Sequence, residues 1–144
     1  MKIVLQRSKK SEVLIESKTV ASIERGMVLL VCFEKDDNEA CIAQSIEKLL
    51  ALRIFPDGQG KMNKNIIEFG GEVLAVSQFT LSWDGKKGNR PSFDQSMPPE
   101  RAEVMFQKFC RDLSAKVPTQ SGVFGASMEV QISNDGPVTF SLSF

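Results

Sequence analysis

Histidine is absent from all 144 residues. That excludes a Ser–His or Cys–His nucleophile pair and any histidine-bearing metal site. An enzyme built on this chain has to work without the commonest general base near neutral pH. Cysteine is scarce, with Cys32, Cys41 and Cys110 an odd set lacking any Cys-x-x-Cys spacing. Cys32 and Cys110 sit in apolar patterns that favour buried, inert thiols, and a reducing, cytoplasmic setting is expected. No metal and no cofactor are expected. No apolar run reaches the length of a membrane span, and charge interrupts Met1 to Arg7 too early for a signal peptide. Neither sign of charge is in excess: 18 Lys and Arg balance 18 Asp and Glu. A protein that coats long nucleic acid carries a basic surplus to neutralise phosphates, so that role is disfavoured, whereas a local basic patch can still meet a short nucleic-acid end. Without repeats, low-complexity stretches or a linker, residues 1–144 read as one domain with a sizeable core.

What is present reads as strands around two helices. Residues 2–7 and 11–16 form short strands joined by polar Ser8-Lys9-Lys10, and 18–23 continues the meander. Met27 to Phe33 is an unbroken apolar run, as in a central strand covered on both faces. A helix follows to about Leu52, capped by Asp36 or Asp37, with Ile42, Ile46, Leu49 and Leu50 on one face. Gly58-Gln59-Gly60-Lys61 lacks the glycine spacing and the following helix of a phosphate loop. Glu72 to Leu81 reads as a strand ending in Ser77-Gln78-Phe79-Thr80, whose polar groups either bond the backbone or face a ligand. Ser82 to Met97 is a long polar loop, and its Lys86, Lys87 and Arg90 are candidates for a phosphate contact. Pro98-Pro99-Glu100 opens a second helix with Ala102, Met105, Phe106, Phe109 and Leu113 as its core stripe.

The segment Asn134-Asp135-Gly136-Pro137-Val138-Thr139 lies between two alternating flanks, 128–133 and 138–142. Asp-Gly favours a tight reversal, and Pro137 fixes its own φ and removes a donor. It reads as the rigid tip of a hairpin, or as a tip that presents main-chain oxygens to something else. Arg7 follows a strand with nothing nearby in sequence to pair with, and Gly122 and Gly125 around Phe124 indicate close backbone approach to a strand or a ligand.

Taken together, Ser77-Gln78-Phe79-Thr80-Leu81 and Asn134 to Thr139 resemble the two signature motifs of the D-aminoacyl-tRNA deacylases, of the chiral-proofreading type. Gln6-Arg7, Leu52-Arg53-Ile54-Phe55, Gly60-Lys61-Met62-Asn63, Arg90-Pro91-Ser92-Phe93 and Gly122 to Ala126 with Met128 match in the expected order, so the resemblance spans essentially the whole chain. Ser8, Ser11-Glu12 and Ser121 depart from it locally. The resemblance implies an α+β fold: curved, barrel-like, mainly antiparallel β-structure with two helices, in a homodimer whose active site lies at the subunit interface. It implies a cis Gly136–Pro137 bond inserted into the partner's site, where its carbonyls exclude an L side chain, with Arg7 bracing the tip through hydrogen bonds to those carbonyls. The implied substrate is the ester joining a D-amino acid to the 3′-terminal adenosine of tRNA, with glycyl-tRNA as a side substrate. Catalysis falls to Gln78, Phe79 and Thr80, and substrate binding to Ser77, Gly136, Pro137, Arg7, Phe124 and Met128. The substrate's own 2′-hydroxyl then activates water against main-chain donors near Gln78 and Phe79. Alternatives are a Thr80-nucleophile esterase on another small ester and a non-catalytic module that binds the tRNA 3′ end.

Overall fold

The computed structural model describes residues 1–86 and 88–144, so Lys87, one of the candidate phosphate contacts, lies outside the described residues. The sheet forms around β1 (Lys2–Ile15). Its first half pairs antiparallel with β3 (Gly26–Cys32), and its second half with β2 (Lys18–Ile23). The other edge of β1 carries an antiparallel strand, β8 (Glu129–Ser143), from Lys2 opposite Ser143 to Leu14 opposite Glu129. The polar Ser8-Lys9-Lys10 link therefore divides nothing. Ser8 and Ser11 are buried within one long strand, and the Ser11 hydroxyl accepts the Ser133 N–H at 3.2 Å, so neighbours on both edges hold the stretch extended.

Beyond β3 the sheet turns parallel. β6 (Glu72–Ser77) runs parallel to β3, and β7 (Thr119–Ser121) parallel to β6. Parallel neighbours require a crossover. It consists of α1 (Glu39–Ala51), a small hairpin of β4 (Phe55–Pro56) and β5 (Met62–Lys64), and a single helical turn, α2 (Ile66–Phe69). β2 returns against β6 and β7, which curls the sheet almost into a barrel. The expected α+β, barrel-like class is thus observed, with parallel strands on one side and three α-helices in place of two. The third is α2, announced by Asn65 and Glu68, whose side chains cap one another's backbone, and by Gly70 in the left-handed conformation at its end.

Alternation explains the unbroken apolar run of β3. Met27, Leu29 and Val31 face the helices together with Val73 and Ala75, while Val28 faces the barrel interior with Leu74, Val76 and Val13. α1 buries Ile42, Ile46 and Leu49 as its spacing predicts. Its cap is Asn38, whose side chain accepts the Ala40 N–H at 2.9 Å, not Asp36 or Asp37. Asp37 is instead buried and accepts from the Met1 amine at 2.6 Å and the Glu34 N–H at 2.6 Å. α3 (Pro99–Ser114) buries Met105, Phe106, Phe109 and Leu113.

Two further expectations are corrected. β6 ends at Ser77, and Phe79–Ser82 coils into a 3-10 turn. The ladder stops because Val31, which the Gln78 N–H reaches at 2.7 Å, is almost the last pairing residue of β3. Residues 128–142 are also no hairpin. Both flanks of Asp135-Gly136-Pro137 pair with β1, and between the pairs Gln6–Thr139 and Ser8–Asn134 the single residue Arg7 faces the four residues Asp135 to Val138. The tip is a bulge thrown out of one continuous strand.

Candidate active site

The carboxyl ends of β3 and β6, the turn at Phe79, the start of α3 and the segment leading into β8 enclose a mainly apolar cavity of about 600 Å³. Ser77, Gln78, Phe79, Phe124 and Met128 all line it, brought together from positions about 50 residues apart in sequence. Gly122 makes room for one of them, since a Cβ there would lie 2.8 Å from the Met128 sulfur. The Phe124 ring leans on Phe106 of α3, with centroids 6.1 Å apart. Sequence reasoning missed Phe93 and Phe106 as lining residues. Phe106 was legible only as core, and Phe93 comes from the long loop, where no periodicity assigns a face.

At the polar side of this cavity the Gln78 side-chain amide donates to the Thr80 hydroxyl. Among the described residues no group takes a proton from that hydroxyl. The Gln78 main-chain N–H is committed to Val31 O at 2.7 Å. The next two N–H groups, of Phe79 and Thr80, open the 3-10 turn and have no acceptor among the described residues. Cys32 lies beneath this turn, with its thiol 3.5 Å from Phe79 O. Burial, with Glu34 adding to it, pushes the Cys32 pKa up, so the thiol is held neutral. Among the described residues no group of three or more Cys, Asp or Glu is placed to hold a metal ion.

Arg7, Gly136 and Pro137 stand elsewhere. The Gly136–Pro137 bond is cis, and both residues are exposed. Gly136 has φ +120°, and a Cβ there would meet Val138 Cγ2 at 2.7 Å and Arg7 Nη2 at 3.0 Å, so only glycine fits. Beneath the tip, Asn134 Nδ2 donates to Arg7 O at 3.0 Å and to Val138 O at 3.2 Å, closing the neck of the bulge. Arg7 donates from Nη1 to Ile54 O at 2.7 Å. Its Nε lies 2.9 Å from Asp135 Oδ2, an ion-pair distance at which the N–H direction makes no proper hydrogen bond. Arg7 is thus no solvated strand end: it holds the bulge by way of Asp135, and within the described residues it makes no hydrogen bond to the carbonyls of Gly136 or Pro137. Asp135 and Ile54 are the partners that sequence reasoning lacked.

Arg7, Gly136 and Pro137 are not among the residues that line the cavity within one chain. Arg7 pairs with Met27 on β3, ahead of the lining residues Val31 and Cys32. In the long loop, Lys86 and Arg90 are exposed, and Lys86 has a loose contact to Asp84 at 4.0 Å. Among the described residues no helix is long and apolar enough to cross a membrane.

Over residues 4–143 the chain matches the family described as D-Tyr-tRNA(Tyr) deacylase. It is 48% identical over 142 residues to the D-aminoacyl-tRNA deacylase of a Nitratiruptor species, covering 99% of this chain and 97% of that one. It is 46% identical over 143 residues to the protein of the same name from Teredinibacter turnerae, covering 99% of each. Among solved structures, one described as c-Myc DNA Unwinding Element Binding Protein superposes with a TM-score of 0.96 at 36% identity, over 100% of this chain and 99% of that one. A probable eukaryotic D-amino acid tRNA deacylase superposes with a TM-score of 0.81 at 18% identity over 98% of each, a likeness of fold alone.

Proposed function

The chain belongs to the D-Tyr-tRNA(Tyr) deacylase family, and on that ground we propose that it is a hydrolase that frees D-amino acids from tRNA by cleaving the ester at the 3′-terminal adenosine. The observation that carries this reading is the pair of unengaged N–H groups, of Phe79 and Thr80, beside an apolar cavity. An ester carbonyl placed against them gains charge as water adds, and two fixed donors stabilise that oxyanion. Losing one such donor typically costs about 10²–10³-fold in rate.

The proton inventory favours water over a covalent route. The Thr80 hydroxyl accepts from Gln78 and has no base beside it among the described residues, so none of them activates it as a nucleophile. The vicinal 2′-hydroxyl of the substrate lies next to the reacting carbonyl in any bound pose; it orients the attacking water and accepts its proton while passing its own to the departing 3′-oxygen. The 3′-oxygen leaves with a proton, giving the free amino acid and tRNA. The deep end of the cavity, at Phe124, Phe106 and Met128, takes the terminal adenine.

Handedness is read by the tip of a second copy. The exposed Gly136–Pro137 peptide, which does not line its own cavity, enters the partner's cavity and sets its carbonyls against the amino acid's α-carbon. Hydrogen or a D side chain fits there, and an L side chain collides, so glycyl-tRNA is accepted as well. The long β8 supports this arrangement: it hydrogen-bonds only to β1 among the described residues, and none of its residues is buried. A cytoplasmic homodimer without a cofactor follows from this reading.

The deciding measurement is deacylation of matched D- and L-aminoacyl-tRNA. Release of the D form alone is expected, equal release of both defeats the chirality argument, and protection of the ester identifies a binder. Thr80→Val is expected to keep D-specific turnover within about tenfold, whereas a covalent route would lose it altogether.

A further inference from the structure

Phe79 contributes more than its N–H. The residue is 57% exposed although it lines the cavity, and its ring stands edge-to-face with Phe93, with centroids 5.0 Å apart and planes at 81°. Phe93 is presented by a fixed turn. The Ser96 N–H donates to Phe93 O at 2.9 Å, the Met97 N–H to Phe33 O at 3.0 Å and the Lys35 N–H to Gln95 O at 3.0 Å, and Ser96 bridges to Glu34. The long loop is thus fastened to the end of β3 just where it delivers this ring. Two aromatic rings held at the mouth of an apolar cavity, one of them largely in water, make a surface for a flat apolar partner.

We propose that Phe79 and Phe93 form an aromatic step that stacks the base of the nucleotide preceding the terminal adenosine. The proposal rests on the deacylase reading. The ester at the N–H groups of Phe79 and Thr80 fixes the terminal ribose beside them. The polynucleotide leaves that ribose through its 5′-phosphate, so the preceding nucleotide is the first outside the cavity, alongside the ring of the same Phe79. The terminal base, seated against Phe124 and Met128, leaves this step free. Stacking on a phenyl ring depends little on base identity, because every base offers a π-face, and it recruits RNA without a basic surplus.

The test compares two substrates of the full-length protein: D-aminoacyl-tRNA, and 3′-O-(D-aminoacyl)adenosine, which lacks the preceding nucleotide. Phe93→Leu is expected to lower the preference for tRNA over the nucleoside ester, as a ratio of kcat/KM values, about tenfold, chiefly through KM for tRNA. Phe93→Trp should restore it. An equal loss on both substrates would assign the ring to the terminal nucleoside or to the posture of Phe79, and so overturns the proposal. An unchanged ratio overturns it, as does a shift of oligomeric state in sedimentation, which would make the ring a subunit contact. Failure of the wild-type protein to release D-amino acid from either substrate would instead sink the deacylase reading itself.

Discussion

Around the cavity, positions are set by packing: β3 and β6 are buried on both faces, and Phe106 and Phe109 of α3 share one buried cluster with Leu29, Val31 and Ala75. Around the tip they are set by polar ties. Asn134 spans the neck, Arg7 links Asp135 to Ile54 O, and Gly136 and Pro137 themselves stay exposed. A packed wall can tolerate small shifts of its apolar atoms and still hold a ligand. The proposed reading of handedness needs the tip's oxygens in one place, which the ring of Pro137 and the ties of Asn134 and, through Asp135, of Arg7 supply. The two regions therefore differ in what their loss should do, one acting through stability and the other through activity.

The largest effect is expected in the packed region. Phe109 is fully buried, and Phe109→Ala should cost about 3–5 kcal/mol, seen as a lower urea midpoint, while the remaining folded protein keeps its D-specificity. Gly136→Ala is the counterpart. Its Cβ would press on Val138 and Arg7, and its φ suits no L side chain. Loss of about 10²-fold in kcat/KM on D-aminoacyl-tRNA is expected from misplacement by about an ångström, against a stability cost of only about 1–3 kcal/mol. If Gly136→Ala unfolds as readily as Phe109→Ala, the contrast between the regions fails.

Mixing the two kinds of site defect sharpens it further. In a random mixture of Gly136→Ala subunits and subunits whose cavity is filled by Ala126→Trp, half the dimers pair an intact cavity with an intact tip from the other subunit. About a quarter of wild-type turnover should then return. No recovery would place tip and cavity within one chain.

The smallest effect concerns Cys110 on α3. Burial pushes its thiol pKa up to about 12, against 9.0 when free, despite a hydrogen bond with Ser121 that lowers it. The neutral thiol suits the fold, so its contribution is intact below pH 9 and declines as pH rises from 9 toward 12, where only the unfolded chain ionises. Urea midpoints should fall between pH 8 and pH 10.5, and Cys110→Ala should flatten that fall.

Much of the packed region was legible in the sequence, because helical and alternating periodicities report directly on which faces are buried. The central strand β3 and the stripe of α3 follow from spacing alone. The tip was legible only in composition. Alternation on both sides of Asp135-Gly136-Pro137 fits a hairpin and a bulged single strand equally well, and what decides between them is β1, more than 120 residues away. The same distance hid Asp135 from Arg7. Ser8-Lys9-Lys10 looked like a break because polarity was taken for a turn, although Ser8 and Ser11, on either side of the two lysines, pair with strands on both edges. At Gln78 the β-favouring Phe and Thr pointed to continued strand, but β3 had run out of partners. The family resemblance supplied what local pattern could not, namely the expectation that residues 77–80 and 134–139 serve one function.

The bulge in β8 has a bearing on solubility as well. A strand of 15 residues with an open rim is a template on which foreign chains can anneal and grow into aggregates. The four residues displaced opposite Arg7 punctuate that rim, leaving only short stretches on either side, and the carboxylate of Asp135 marks the interruption. Straightening this strand by deleting the displaced residues should therefore yield a protein that is not merely inactive but prone to precipitate.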